Sequence, residues 1–323
     1  MLQHNPLPRT ILGLTVFLTA FFACALPNQA QTMEELQKRV SEYYAKDNFG
    51  KAAKTFDKMI KLRPDSVELY ARKGSCLCID GQQDKSFETF AEALKMNPTN
   101  AFIFLERGTC FETYGMYDNA VQDFTEGIKH AKSDSVLFSL YFNRASTKQF
   151  YRDARGALED NLKALELDST NEGLHNNLGL TYSDLKQFDK AEYHLRKVIE
   201  LDSAFEGGWM NLGFFFSEIE EYEKALEALN SAVEKFPDMP YPYNNRGWAK
   251  HKLGMSEEGI ADIEKSLKLF DANSYAYRNL SLIYQSMGEI EKACSNCMQA
   301  LQLNYTTNYG EDMQTFYKTN CTE

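Results

Sequence analysis

Five asparagines stand at one spacing: Asn143, Asn177, Asn211, Asn245 and Asn279 follow one another every 34 residues. An amide side chain carries two N–H donors and an acceptor oxygen. A row of amides at fixed intervals suits the backbone of an extended peptide, which it can hold without reading side chains. The same row can instead bond the neighbouring element and shape a stack. Phe142, Phe214, Trp248, His251 and Arg278 lie at related places and add apolar and cationic surface. Cys294 and Cys297 form a C-x-x-C spacing, which serves redox and metal chemistry elsewhere. Here no histidine lies near it and no strand precedes it. G-x-x-x-x-G-K-[ST], H-E-x-x-H and G-x-S-x-G are all absent, and the five histidines are scattered. These residues predict binding rather than catalysis, with no metal and no cofactor.

The elements that position these residues are read from an internal period. Pro64 and Pro98 each follow a helical run and are 34 residues apart. Extending that period divides the chain into eight units: 33–66, 67–100, 101–137, 138–171, 172–205, 206–239, 240–273 and 274–307. The third carries three extra residues near Lys132–Leu137, expected to lengthen a connection. The eighth place of a unit is small (Gly74, Gly108, Ala145, Gly179, Gly213, Gly247, Ser281), and so is the twentieth, from Ala52 to Ala293. Large side chains recur at the fourth place (Tyr70, Phe104, Trp209) and the eleventh (Phe111, Tyr182, Phe216), where Lys148 and Lys250 are exceptions. Such a unit is two helices of about 14 residues joined by a tight turn, with Gly81, Gly115, Gly254 and Gly288 marking the turn. Small residues let the helices approach, and aromatics fill the space beside them. A lone hairpin cannot bury its face, so neighbours must stack. The fold class is therefore all-α, and the aromatic fraction of 13% reads as recurring stack filler.

This pattern resembles the tetratricopeptide repeat (TPR) family, most clearly over 174–204 and 209–238. The resemblance covers 33–307 and implies an α-α superhelix whose first helices line a concave groove. It implies a non-enzymatic scaffold that binds an extended segment of a protein partner. The asparagine row resembles the ladder of the O-GlcNAc transferase superhelix. "YFNRA" (141–145) and "YNNRG" (243–247) resemble the chaperone-binding members, but the preceding units carry Leu105 and Thr109, or Met210 and Phe214, where a clamp needs Lys and Asn. A cytosolic chaperone clamp is therefore not expected. "KAC" (292–294) followed by Cys321 resembles the ends of exported repeat proteins of Bacteroidota-like bacteria. It implies a Cys294–Cys321 disulfide, with Cys297 as the alternative partner, pinning a single capping helix in 308–323. Cys76 and Cys110 share one place in adjacent units and read as buried free thiols, a bridge between them staying open, while Cys78 is expected to face the groove.

Residues 1–32 differ from the rest. Arg9 is their one charge, the uncharged run Ile11–Leu26 follows, and small residues close it. That arrangement predicts a secretory signal cleaved after Ala25 or Ala30 and an exported, periplasmic, envelope-associated or secreted protein. Membrane attachment is expected only if this segment is retained or Cys24 is lipidated. The formal charge of −11 sets an acidic surface against nucleic acid. A glycan or small-ligand binding protein, using Tyr241, Trp248 and Tyr275 to stack on rings, is the alternative function.

Overall fold

A computed structural model describes residues 27–321; the signal reading of 1–32, its cleavage sites and Cys24 fall outside it for all but the last few positions. Among the described residues there are only helices and turns, and they divide into two units, 27–169 and 170–321. The first contains α1 (Pro27–Tyr44), α2 (Phe49–Leu62), α3 (Val67–Ile79), α4 (Gln83–Met96), α5 (Ala101–Thr113), α6 (Tyr117–His130), α7 (Asp134–Phe150) and α8 (Ala154–Leu167). The second contains α9 (Glu172–Asp184), α10 (Phe188–Leu201), α11 (Glu206–Glu218), α12 (Tyr222–Lys235), α13 (Pro240–Lys252), α14 (Ser256–Leu269), α15 (Ser274–Ser286), α16 (Ile290–Gln302), α17 (Tyr305–Tyr309) and α18 (Asp312–Asn320). Odd and even helices pair as hairpins through α16. No helix among the described residues is long and apolar enough to cross a membrane.

The period is visible in the backbone. The fifteenth residue of every unit has positive φ: Asp47, Gly81, Gly115, Arg152, Lys186, Glu220, Gly254 and Gly288. This left-handed residue turns the first helix into the second, and only half of the units use glycine for it. Asn100, Asn171 and Asn273 close three units, and each side chain accepts N–H groups from the first turn of the next helix. The small eighth place then sets the separation within each hairpin. A Cβ on Gly179 would lie 2.6 Å from Leu195, and one on Gly108 2.5 Å from Phe124. Where a serine stands at the twentieth or the eighth place, its hydroxyl bonds the facing backbone: Ser86 Oγ donates to the Gly74 carbonyl and Ser281 Oγ to that of Ala293. Phe90, Phe124, Leu195, Leu229 and Ile263 fill the centres of five hairpins with no exposure, and Asn161 holds the same place in the fourth unit.

A second internal tie escapes the periodicity. Arg107, Arg144 and Arg246 each grip the carboxylate 16 residues ahead, on Asp123, Asp160 and Asp262, through paired N–H···O bonds of 2.6–2.8 Å. The aspartates are buried. Lys148 and Lys250, which break the aromatic eleventh place, put a second ammonium on Asp160 and Asp262 at 2.8 and 2.9 Å. In the unit that keeps its aromatic, Arg107 instead lies over Phe111, 5.6 Å from its ring centre. Lysine at this place is thus a second cation for a buried carboxylate rather than a missing filler.

Three expectations change. The extra residues at 132–137 do not lengthen a loop; residues 134–137 add a turn to the start of α7, and Val136 packs beside Leu140 and Phe124. The expected single helix of 308–323 is α18; the short α17 precedes it across the unit boundary, since left-handed Asn304 (φ 58°) ends the α16 segment and Gly310 (φ 125°) separates α17 from α18. Cys110 is not free: it is bonded to Cys78, which is buried, while Cys76 keeps its thiol. The reason is the offset between neighbouring first helices, which sets the twelfth place of one against the tenth of the next. Tyr44 and Cys76 meet in the same relation, hydroxyl to sulfur at 3.2 Å. In the tail, Cys294 and Cys321 form a disulfide with Cα atoms 5.6 Å apart, and Cys297 stays a buried thiol whose S–H donates to the Met313 carbonyl.

Gly254→Ala should cost about 1 kcal/mol by denaturant unfolding, purely through its backbone, since nothing stands within 4 Å of the added Cβ. Gly179→Ala should cost about 1–3 kcal/mol by forcing Leu195 away. Equal costs at the two sites would contradict the assignment of roles. Cys294→Ser should lower stability by about 3–4 kcal/mol, the chain-entropy value for a loop of 27 residues; the loss is read by unfolding in non-reducing buffer and should vanish in dithiothreitol.

Candidate functional site

Because adjacent first helices lie side by side, the sixth-place row falls at their seam. In 170–321, Asn211 Nδ2 donates to Asn176 Oδ1 at 2.7 Å, joining α11 to α9. Asn279 Nδ2 donates to Asn244 Oδ1 at 3.1 Å, joining α15 to α13, and Asn244 Nδ2 donates to Asn245 Oδ1 at 3.2 Å. Asn245 and Asn279 are 5% and 1% exposed. The Asn279 amide is committed between helices and Asn245 is buried against Asn244 of its own helix, so both are closed to a peptide backbone. Phe214, 6% exposed, is likewise core rather than binding surface. Asn177 and Asn211 are half-buried.

The row reads differently in 27–169. There Arg72, Glu106 and Asn143 hold the sixth place. Ser75 Oγ donates to Glu106, and Asn143 Nδ2 donates to Thr109 Oγ1 at 3.3 Å. Burial raises the Glu106 pKa above the usual carboxylate range, against the opposing pull of the Ser75 hydroxyl and Arg72. Phe142 is half-exposed and stacks on Phe138 at 5.8 Å. This face is a mesh of hydroxyls, amides and charges.

The remaining predicted residues do converge. Trp248 and His251 on α13 meet at 5.5 Å between ring centres. Arg278, from α15, lies between two rings: its guanidinium carbon is 5.5 Å from the Trp248 centre and 5.4 Å from that of Tyr275. Lys252 Nζ also approaches Trp248, 5.6 Å from its ring centre. Arg278 Nη1 donates to Asn279 Oδ1 at 3.1 Å, so the asparagine row ends by orienting this arginine. Trp248, His251, Tyr275 and Arg278 are half-buried and Lys252 is exposed. His251 Nδ1 bonds Ser256 Oγ at 3.0 Å, and burial, with Lys252 nearby, lowers its pKa. Sequence reasoning missed Tyr309, which continues Tyr241 and Tyr275 at the 34-residue spacing from within the tail and meets Tyr275 at 5.3 Å. That spacing was available in the sequence, but the tail had been set outside the repeat.

Groups suited to covalent chemistry are muted. Burial pushes the Cys76 thiol up to about 12 and Cys297 up to about 11, which leaves little thiolate at neutral pH. His175 and His194 face each other across α9 and α10, Nδ1 to Nδ1 at 2.8 Å, with Tyr182 stacked on His194. His194 occupies the place that aspartate holds in three other hairpins. Burial first, then His175 and Lys190, lowers its pKa to about 4. No group of three or more metal-ligating side chains occurs among the described residues.

The His194 shift fixes the sign of a pH effect. Its folded pKa lies below the ordinary histidine value near 6.5, so the stabilisation is complete above that value and is lost as pH falls toward 4. The melting temperature should drop between pH 7 and pH 5, and His194→Gln should shrink that drop. An undiminished drop in the variant would assign the effect elsewhere.

Comparison with known proteins places the architecture. Family models described as tetratricopeptide repeat match residues 38–101, 174–205, 241–273 and 274–307. No curated protein matches the chain. Among solved structures, a tetratricopeptide repeat protein from Parabacteroides merdae ATCC 43184 is 18% identical, with 90% of this chain and 100% of that one aligned at a TM-score of 0.61. The Cut9–Hcn1 hetero-tetramer of the APC/C is 15% identical over 89% of this chain and 55% of that one, with a TM-score of 0.65. Yeast Tom70 is 17% identical over 85% and 59%, with a TM-score of 0.58. At these identities the likeness is one of fold.

Proposed function

This chain belongs to the tetratricopeptide repeat family, whose members are typically non-catalytic scaffolds, and from that premise we propose that it is an exported scaffold that holds an extended segment of a protein partner. The single observation that carries the reading is the Trp248–His251–Arg278–Tyr275 cluster. It joins two neighbouring first helices, it is half-exposed, and it holds a guanidinium between aromatic faces. Aromatic and arginine side chains of this kind dominate binding energy at protein interfaces. An extended segment lying across successive first helices meets one such set of side chains per repeat. Asn177 and Asn211 add polar contacts, and in 27–169 Asn143 and Phe142 form a separate, weaker surface.

Export rests on the order of Arg9, the Ile11–Leu26 run, Ala25 and Ala30 in the sequence. The two disulfides support it, since such bonds persist in oxidising compartments. N-terminal sequencing of the native protein tests that part.

Trp248→Ala should weaken capture of the native partner by about tenfold or more, as for a central interface aromatic, while the melting temperature falls only slightly. Capture from the cell envelope by wild type and variant, with thermal unfolding of both, checks this. Undiminished capture would remove the cluster from the interface.

A further inference from the structure

The tail occupies part of the same cluster. In α17, Tyr305 is 2% exposed and Tyr309 rests on Tyr275. Asp312, the first residue of α18, sets Oδ2 3.3 Å from Nε of Arg278, exactly one repeat length ahead of it in sequence. α18 therefore stands in register as a ninth first helix, and Asp312 stands at the fifth place, as Arg278 does in the eighth unit. Its grip is loose: one oxygen, one nitrogen, half-exposed, with the Tyr305 hydroxyl donating to that oxygen at 3.4 Å. The paired Arg–Asp ties elsewhere in the chain are bidentate at 2.6–2.8 Å. The Asn279 bond fixes a second nitrogen of Arg278, and among the described residues Nη2 carries no hydrogen bond. The guanidinium is held rigid by Trp248, Tyr275 and Asn279, and one N–H edge is left for a further acceptor.

The geometry points to a carboxylate of the partner segment as the group this edge receives, with Asp312 of the tail as a built-in competitor for it. The inference rests on the scaffold reading above and adds the chemistry of the partner and its regulation. Charge favours it locally: Arg278 and Lys252 both approach Trp248, although the chain as a whole is acidic. The acids that face Tyr275 are Glu218 and Asp312. A second carboxylate on Nη2 would complete the fork that Asp312 leaves half-made, and an aromatic or aliphatic neighbour would lie on Trp248. Asp312 weakens that contact by occupying the same guanidinium, so binding is tuned by how firmly the tail is seated. The Cys294–Cys321 bond ties the far end of α18 to α16 and keeps the competitor in place.

Calorimetric titration of the full mature chain with two capped synthetic peptides tests this, one alternating Phe with Glu and its twin alternating Phe with Gln. The Glu peptide should bind about tenfold more tightly, the increment expected of a charge-assisted hydrogen bond. Arg278→Gln should abolish that preference, and Asp312→Asn should raise affinity for the Glu peptide several-fold with an unchanged melting temperature. Equal binding of the two peptides, or no binding of either at millimolar concentration, overturns the proposal. An Asp312→Asn affinity that stays level or falls also overturns it. If Trp248→Ala loses the native partner while Arg278→Gln retains it fully, the scaffold reading stands and the carboxylate inference fails.

Discussion

The closeness of two helices within each hairpin is the constraint from which the rest follows. Glycine, alanine or serine at the eighth and twentieth places lets the backbones approach until a single added methyl group would strike Phe124, Leu195 or the Gly259 carbonyl. That approach makes room for one large side chain, such as Phe90 or Leu229, at the centre of each hairpin. It also brings the seventh place of the first helix within reach of the twenty-third of the second. The buried Arg–Asp ties occupy the gap so defined, and in the fifth unit His194 at the twenty-third place meets His175 from the fourth place instead. Burying a carboxylate is costly unless it is paired and hydrogen-bonded, and the second ammonium from Lys148 or Lys250 answers that requirement in two hairpins.

Much of this was legible in the sequence because repetition averages away noise. One glycine at one position says little, whereas Gly74, Gly108, Gly179, Gly213 and Gly247 in register identify a close contact. The turn was only half legible. Gly81, Gly115, Gly254 and Gly288 advertise positive φ, but Asp47, Arg152, Lys186 and Glu220 adopt it without any such signal, held there by the helices on either side. The ties between Arg107, Arg144 or Arg246 and their aspartates were missed because salt-bridge partners 16 residues apart have no place in helical periodicity. The Cys78–Cys110 bond was missed because a sequence period aligns equal places, while packed helices are offset and bring unequal ones together.

The asparagine row shows how one pattern yields two functions. Its spacing allows either an open ladder for a peptide or a bond to the neighbouring element; Asn279 takes the second course, and Asn245 is buried against Asn244 of its own helix. The row still reaches the surface indirectly, because its last member orients Arg278. The two units also differ in what their first helices present. In 27–169 the seam is polar and self-satisfied, as at Ser75–Glu106 and Glu112–Thr147. In 170–321 it ends in tyrosine, tryptophan and arginine. A uniform backbone thus carries unequal surfaces, and the inequality resides in a few places per repeat.

The half-repeat at the end of the chain has a mechanical consequence. In an array where each hairpin leans on its neighbours, structure is lost most easily from a free end, since the last element has one neighbour instead of two. α18 is the last helix described, and it is short. The covalent tie from Cys321 to Cys294 in α16 means that α18 can open only inside a closed loop, which gains less chain entropy than a free segment would. When its turns open, α18 stays tethered beside α16, so it re-docks from a short loop rather than from a free search.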